Sequence, residues 1–196
     1  MTKWLSHRMV ERGIIKEEEQ ELYQFGIRNG MILLLNVVTA LVIGLLTEQL
    51  AVVAVFTLSF MVLRSYTGGY HSDSRVFCYL GSNLVLLVPV YTQAVFYKTS
   101  LAWLLAVLLV SAGIIFLLSP MHSKNRKLDK EEQKHFGRKA RLIAALELAV
   151  LGILWHAGQI PYAYAVYTGI CITALFMLIG NSFITDGQAK QVCVEA

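Results

Sequence analysis

The chain has 196 residues, 56% of them hydrophobic and 15% charged, with a mean hydropathy of +0.58 and a net charge of +4. Soluble domains carry about 25% charged residues, so this composition excludes an ordinary soluble globule and a disordered chain. In so apolar a chain, the positive excess signals orientation in a membrane rather than contact with nucleic acid. The cysteines are Cys78, Cys171 and Cys193. They show no CxxC pairing or regular spacing, which argues against a disulfide framework or a zinc site. No P-loop is present, and neither a metal nor a cofactor is expected.

The first 28 residues do not read as a secretory signal. Charges at Lys3, Arg8, Arg12, Lys16 and the acidic stretch at 17–21 precede the first apolar run. Trp4, Leu5 and Met9 set against Lys3, Arg8 and Arg12 predict a short amphipathic helix ended at Gly13. A second helix is expected over 15–27, with Leu22 and Phe25 on one face. Both are expected to lie in the headgroup layer, with Trp4 and Tyr23 as interfacial anchors.

Six apolar stretches follow, at 29–47, 49–63, 77–97, 101–119, 140–157 and 162–180. A straight span needs about 20 residues, so the second is short and suits a shallow or re-entrant helix. Pro89 is expected to kink the third. Asn36, Asn83 and Asn181 are expected to join helices by hydrogen bonds. Glu147 is an acid inside the fifth stretch, six residues beyond Arg141: it is a candidate functional group, with a shallow group paired with cationic neighbours as the alternative. The predicted fold is an all-α polytopic membrane protein of about six transmembrane helices with N-terminal amphipathic interfacial helices. It reads as a single membrane domain over 1–196: an interfacial segment 1–28, a bundle 29–180 and a tail 181–196.

The basic residues are unevenly placed. The N-terminal segment has five, the connection at 64–76 two, that at 120–141 eight and the tail one. With six spans all of these fall on one side, which then holds 16 of the 17 lysines and arginines. The positive-inside rule puts that side, with both termini, in the cytoplasm. A four-span arrangement is the alternative if one pair of stretches only dips into the bilayer.

The stretch from Arg64 to Cys78 stands out, with Gly68-Gly69, His71 and Cys78 within 15 residues. On a continuous helix His71 and Cys78 would be separated by about 10.5 Å of rise, too far for a hydrogen bond. A Cys–His pair therefore needs a break, and the two glycines supply the backbone freedom for one. Ser72, Asp73 or Ser74 is suited to cap a helix carrying Cys78 in its first turns, where the helix dipole favours thiolate. Free N–H groups at the turn are suited to hold an oxyanion. The plainer alternative is a loop histidine and an inert packing cysteine. Asp73 is a candidate to orient His71, and equally a helix cap.

Arg64, Gly69, His71 and Cys78, in that order and spacing, resemble the signature of the AgrB family. These are membrane cysteine endopeptidases of Gram-positive quorum sensing. The acidic stretch at 17–21 followed by Tyr23-Gln24-Phe25-Gly26 resembles the family's N-terminal region. The run at 119–128, leading to Glu131 and Glu132, also matches. The resemblance implies that His71 and Cys78 are catalytic. It implies that Cys78 cleaves an AgrD-type pro-peptide through an acyl-enzyme thioester, which an internal substrate thiol or hydroxyl then closes into a thiolactone or lactone. It favours a site role for Arg64, beside the alternative of snorkelling to the interface. The eight basic residues at 120–141 suit an acidic peptide or anionic lipid. A homodimer is expected, with membrane lipids and the pro-peptide as partners. The other function classes left open are a small peptide exporter and a non-catalytic membrane scaffold.

Overall fold

Long apolar runs with three prolines leave the backbone little alternative to helix in a bilayer, where every peptide group must be bonded internally. The computed structural model describes residues 2–67, 75–120 and 130–195, with the helical course alone described at 2–3, 29, 75–78, 130–133 and 182–195. Among the described residues there are helices and no strands. They are α1 (Thr2–Glu11), a 3-10 turn (Glu17–Glu19), α2 (Gln20–Leu46), α3 (Leu50–Thr67) and α4 (Arg75–Tyr91). There follow α5 (Gln93–Lys98), α6 (Leu101–Leu118), α7 (Lys130–His156) and α8 (Ile160–Glu195).

Among the described residues five stretches are long and apolar enough to cross a membrane: Glu17–Leu46, Leu50–Thr67, Tyr79–Lys98, Leu101–Leu118 and Ile160–Asn181. The stretch expected at 140–157 falls in α7 and is not among these five. Lys139, Arg141 and Glu147 interrupt its apolar character. The short second stretch extends to Thr67, longer than its apolar run suggested.

The N-terminal expectation holds in part. α1 ends as its sequence suggests. Gly13 takes φ +67 and donates to the Val10 carbonyl at 2.9 Å, while Ile14 donates to Met9 at 3.0 Å. This is a Schellman ending, for which glycine has no Cβ penalty. The separate helix expected over 15–27 does not form. Residues from Gln20 onward belong to α2 itself, because no proline or capping residue divides them from the apolar run.

The third stretch divides as its proline predicts. α4 ends two residues after Pro89, and α5 restarts at Gln93. Tyr164 of α8 repairs the break: its hydroxyl donates to the Pro89 carbonyl at 3.0 Å and lies 2.6 Å from Thr92 Oγ1. A neighbouring helix thus satisfies the backbone group that the broken helix frees.

α8 and α3 form the centre. Of the Ile160–Asn181 span 61% is buried, against 12% of Glu17–Leu46, so α2 lies at the periphery. Two apolar clusters fill the bundle. One joins Val53 and Phe56 to Phe96 and Tyr164; the other joins Leu63 to Ile115, Ile170 and Met177. They mark its two ends. The end where α3 closes and α4 begins is here called proximal, and the end at the α5–α6 and α7–α8 turns distal. α6 finishes proximally, beside Leu63, and α8 starts distally, beside Phe96. α7 therefore runs the height of the bundle, reaching Phe96 with Trp155 at a ring separation of 6.4 Å.

Candidate active site at the proximal end

The last turns of α3 form one wall. Ser59 is buried and donates to Glu147 Oε2 of α7 at 2.5 Å. Glu147 is only 8% exposed, so it is a core acid held by a hydroxyl rather than a shallow group among cations. α8 closes over the pair at Gly169, where a Cβ would lie 2.6 Å from Ser59 Oγ. Only a glycine permits that approach. Three helices thus lock together about 7 Å of helical rise from Arg64. An apolar chain alone would let them slide, whereas a hydroxyl–carboxyl bond in hydrocarbon fixes their register.

Arg64 lies one turn beyond Phe60. Its guanidinium carbon is 5.0 Å from the centroid of the Phe176 ring on α8. Phe176 meets Phe60 at 6.0 Å, and Phe60 stacks on Phe56 at 5.8 Å. The arginine is therefore held by a cation–π contact at the head of an aromatic column. It does not snorkel freely. Thr67, the last residue of α3, is fully buried.

Gly68, Gly69, His71 and Asp73 lie outside the described residues, which resume at Arg75. Cys78 is the fourth residue of α4, in its first turn. That turn carries backbone N–H groups without intrahelical partners and the positive end of the helix dipole. α4 is tied to α2 one residue later by Tyr79, whose hydroxyl is 2.8 Å from Thr39 Oγ1. α3 and α4 pack on each other and on α2. Both flanks of the 68–74 segment therefore belong to one assembly.

The basic connection is partly committed to structure. Arg141 Nε donates to the Phe116 carbonyl at 3.2 Å, satisfying the C-terminal end of α6. Residues 121–129 lie outside the described set.

Of the asparagines expected to join helices, Asn36 and Asn83 have buried amide oxygens without hydrogen-bond partners among the described residues. Thr39 and Tyr79 make the α2–α4 link instead. Ser59 and Gly169 were not legible as a pair with Glu147. The available signal was the intramembrane acid itself, which demands a partner.

The accessory gene regulator B family description matches residues 1–179. A putative AgrB-like protein of Clostridium perfringens strain SM101 is 23% identical over 148 residues, covering 72% of this chain and 69% of that protein. Putative AgrB-like protein 2 of C. perfringens strain 13 is 24% identical over 182 residues, covering 84% of each. Accessory gene regulator protein B of Staphylococcus intermedius is 26% identical over 156 residues, covering 78% of this chain and 80% of that protein. No solved structure matches. The family match runs from α1 through the membrane-spanning part of α8, taking in the α3–α4 junction, and the chain belongs to the accessory gene regulator B (AgrB) family of quorum sensing.

Proposed function

We propose that this chain is a membrane-embedded cysteine endopeptidase and peptide cyclase acting on an AgrD-type pro-peptide, with Cys78 as nucleophile and His71 as base. The observation that carries the reading is the start of α4. Cys78 occupies its first turn, an environment that favours thiolate. Residues 68–74 connect that turn to the locked end of α3, which supports His71 working at the same end of the bundle.

His71 accepts the thiol proton, and Cys78 Sγ attacks the carbonyl ahead of the pro-peptide's C-terminal part. Free N–H groups at the α4 terminus stabilise the oxyanion. Collapse breaks the C–N bond, and the amine leaves with the proton from His71. The remaining acyl group is a thioester on Cys78. An internal cysteine thiol or serine hydroxyl of the substrate gives its proton to His71 and attacks that thioester. Cys78 departs as the thiolate and is reprotonated, leaving a cyclic thiolactone or lactone. A thioester exchanged for a thioester is nearly balanced, so no ATP is required. Low water access at a membrane edge protects the intermediate from hydrolysis.

Arg64, prearranged over Phe176, binds a substrate carboxylate. Asp73 orients His71 or caps α4. α7 serves as a further span, which gives six, with both termini and Cys78 on the cytoplasmic face. The functional unit is a homodimer.

The test is reconstitution in nanodiscs with a matching pro-peptide, read by intact mass spectrometry. Wild type is expected to release the C-terminal peptide and to accumulate a covalent acyl adduct. Cys78→Ala is expected to lose the adduct and, as for a removed nucleophile, more than about 10⁴-fold of turnover. Unchanged cleavage by both Cys78→Ala and His71→Ala would overturn the assignment.

A further inference from the structure

At the distal end, α6, α7 and α8 do not close on one another. They leave a cleft of ≈ 280 Å³. Its walls are Leu101, Leu104, Leu105 and Leu108 of α6, opposed by Leu151 and Trp155 of α7, and its base is set by Tyr167 of α8. The α6 residues recur at the spacing of one helix face, so the cleft is about 10 Å deep. It is nearly twice the volume of a dry cavity of about 150 Å³ that accepts benzene. Leu101 and Leu105 at its rim are 53% and 48% exposed, so it opens sideways, toward the surroundings of the bundle.

In a membrane those surroundings are lipid chains, and the cleft's mouth carries what a lipid headgroup needs. His156 lines the cleft and is exposed. Lys98, also exposed, is the last residue of α5, two residues after the lining residue Phe96 and three before Leu101. Across residues 42–60, 84–115 and 145–173 Lys98 is the only lysine or arginine, and it stands in the chain between two lining residues without itself lining the cleft. The acid of that end, Glu48, belongs to the α2–α3 turn and is not among the lining residues. Trp155 and Tyr167 supply aromatic rings suited to headgroup depth.

We propose that this cleft is a binding site for one acyl chain of a membrane phospholipid in the distal leaflet, with the headgroup phosphate held by Lys98 and His156. The site is distinct from the Cys78 chemistry at the other end and does not rest on it.

Gly152 gives a clean test, because it lines the cleft and a Cβ there meets nothing within 4 Å. Gly152→Leu adds a side chain at the cleft from a position whose Cβ is unobstructed. Gly113→Leu on α6 is the control, since its Cβ also meets nothing and it does not line the cleft. Dioleoyl phosphatidylglycerol is titrated into each full-length protein in detergent, and bound lipid is counted by native mass spectrometry. Gly152→Leu is expected to weaken binding about tenfold, the effect of withdrawing roughly two methylene groups from burial, with Gly113→Leu unchanged. Lys98→Gln is expected to erase a preference of about fivefold for phosphatidylglycerol over a diglucosyl lipid with the same chains. As a measurement that needs no variant, a diazirine-bearing phosphatidylglycerol is expected to label 101–108 and 151–155 of wild type ahead of the α2 surface. Equal binding by wild type and Gly152→Leu, or labelling spread evenly over α2, would overturn the proposal. Displacement of the lipid from these residues by the pro-peptide would assign the cleft to substrate and overturn it as well.

Discussion

The two helix junctions that flank residues 68–74 are built differently. Where α3 meets α7 and α8, the polar groups are matched: Ser59 bonds Glu147 at 2.5 Å, and Gly169 lets α8 press against them. Where α2 meets α4, one bond, Thr39 to Tyr79 at 2.8 Å, is flanked by two buried amide oxygens without hydrogen-bond partners among the described residues. Burial follows the same division: 61% of the α8 span, 33% of α3 and 17% of the α4–α5 span. The comparison teaches that the arginine side of the segment is fixed by three-helix packing, while the cysteine side rests on a thinner contact. A rigid wall faces a wall with unspent hydrogen-bonding capacity.

The largest break in this contrast is expected from Gly169→Leu. The side chain must displace Ser59 or move α8, and overpacking of this kind costs about 1–3 kcal/mol. Thermal melting in detergent measures it, and an unchanged midpoint would show that the junction is loose after all. Glu147→Leu comes next. It strands the Ser59 hydroxyl, a loss of about 1–3 kcal/mol, whereas Glu147→Gln keeps an acceptor and is expected to lose less. A double-mutant cycle with Ser59→Ala isolates the pair; coupling energies in membrane bundles average about 0.6 kcal/mol and reach about 1.7 kcal/mol. Tyr79→Phe removes the Thr39–Tyr79 bond between α2 and α4 and is expected to lose about 0.6 kcal/mol. Asn83→Leu should show the smallest effect and the opposite sign, neutral to slightly stabilising, because it removes an unsatisfied buried acceptor. If Asn83→Leu instead destabilises the protein as strongly as Glu147→Leu, the two junctions are equivalent and the contrast fails.

Much of the fold was legible because the bilayer simplifies the code. Apolar length forces helix, Pro89 forces the break before α5, and Gly13 ends α1. The boundary between interface and membrane was not legible in α2, since no residue there interrupts a helix that starts at Gln20 and ends at Leu46. α7 was ambiguous for a physical reason: its charges deny it the composition of a span, yet its neighbours carry it from one end of the bundle to the other. At the candidate site, Arg64 was singled out by the family resemblance, but not that Phe176 would seat it, because that residue is 112 positions away in the chain. For Asn36 and Asn83 the amide oxygens have no hydrogen-bond partner among the described residues, for a related reason. Their chemistry suits helix joining, and only the facing side chains decide whether a partner arrives.

Composition and apolar run length are local properties, and local properties by themselves determined that this protein is helical and membrane-suited. The order of Arg64, Gly69, His71 and Cys78 carried the family resemblance, and the reactive role proposed for that stretch rests on it. Tertiary structure alone decided which polar groups meet. The Ser59–Glu147 bond spans 88 positions, Gly169 matters only because α8 lies against α3, and the distal cleft exists only because three helices diverge. Those features depend on side chains meeting across separate helices in a medium without competing water, a condition that no single stretch of chain encodes.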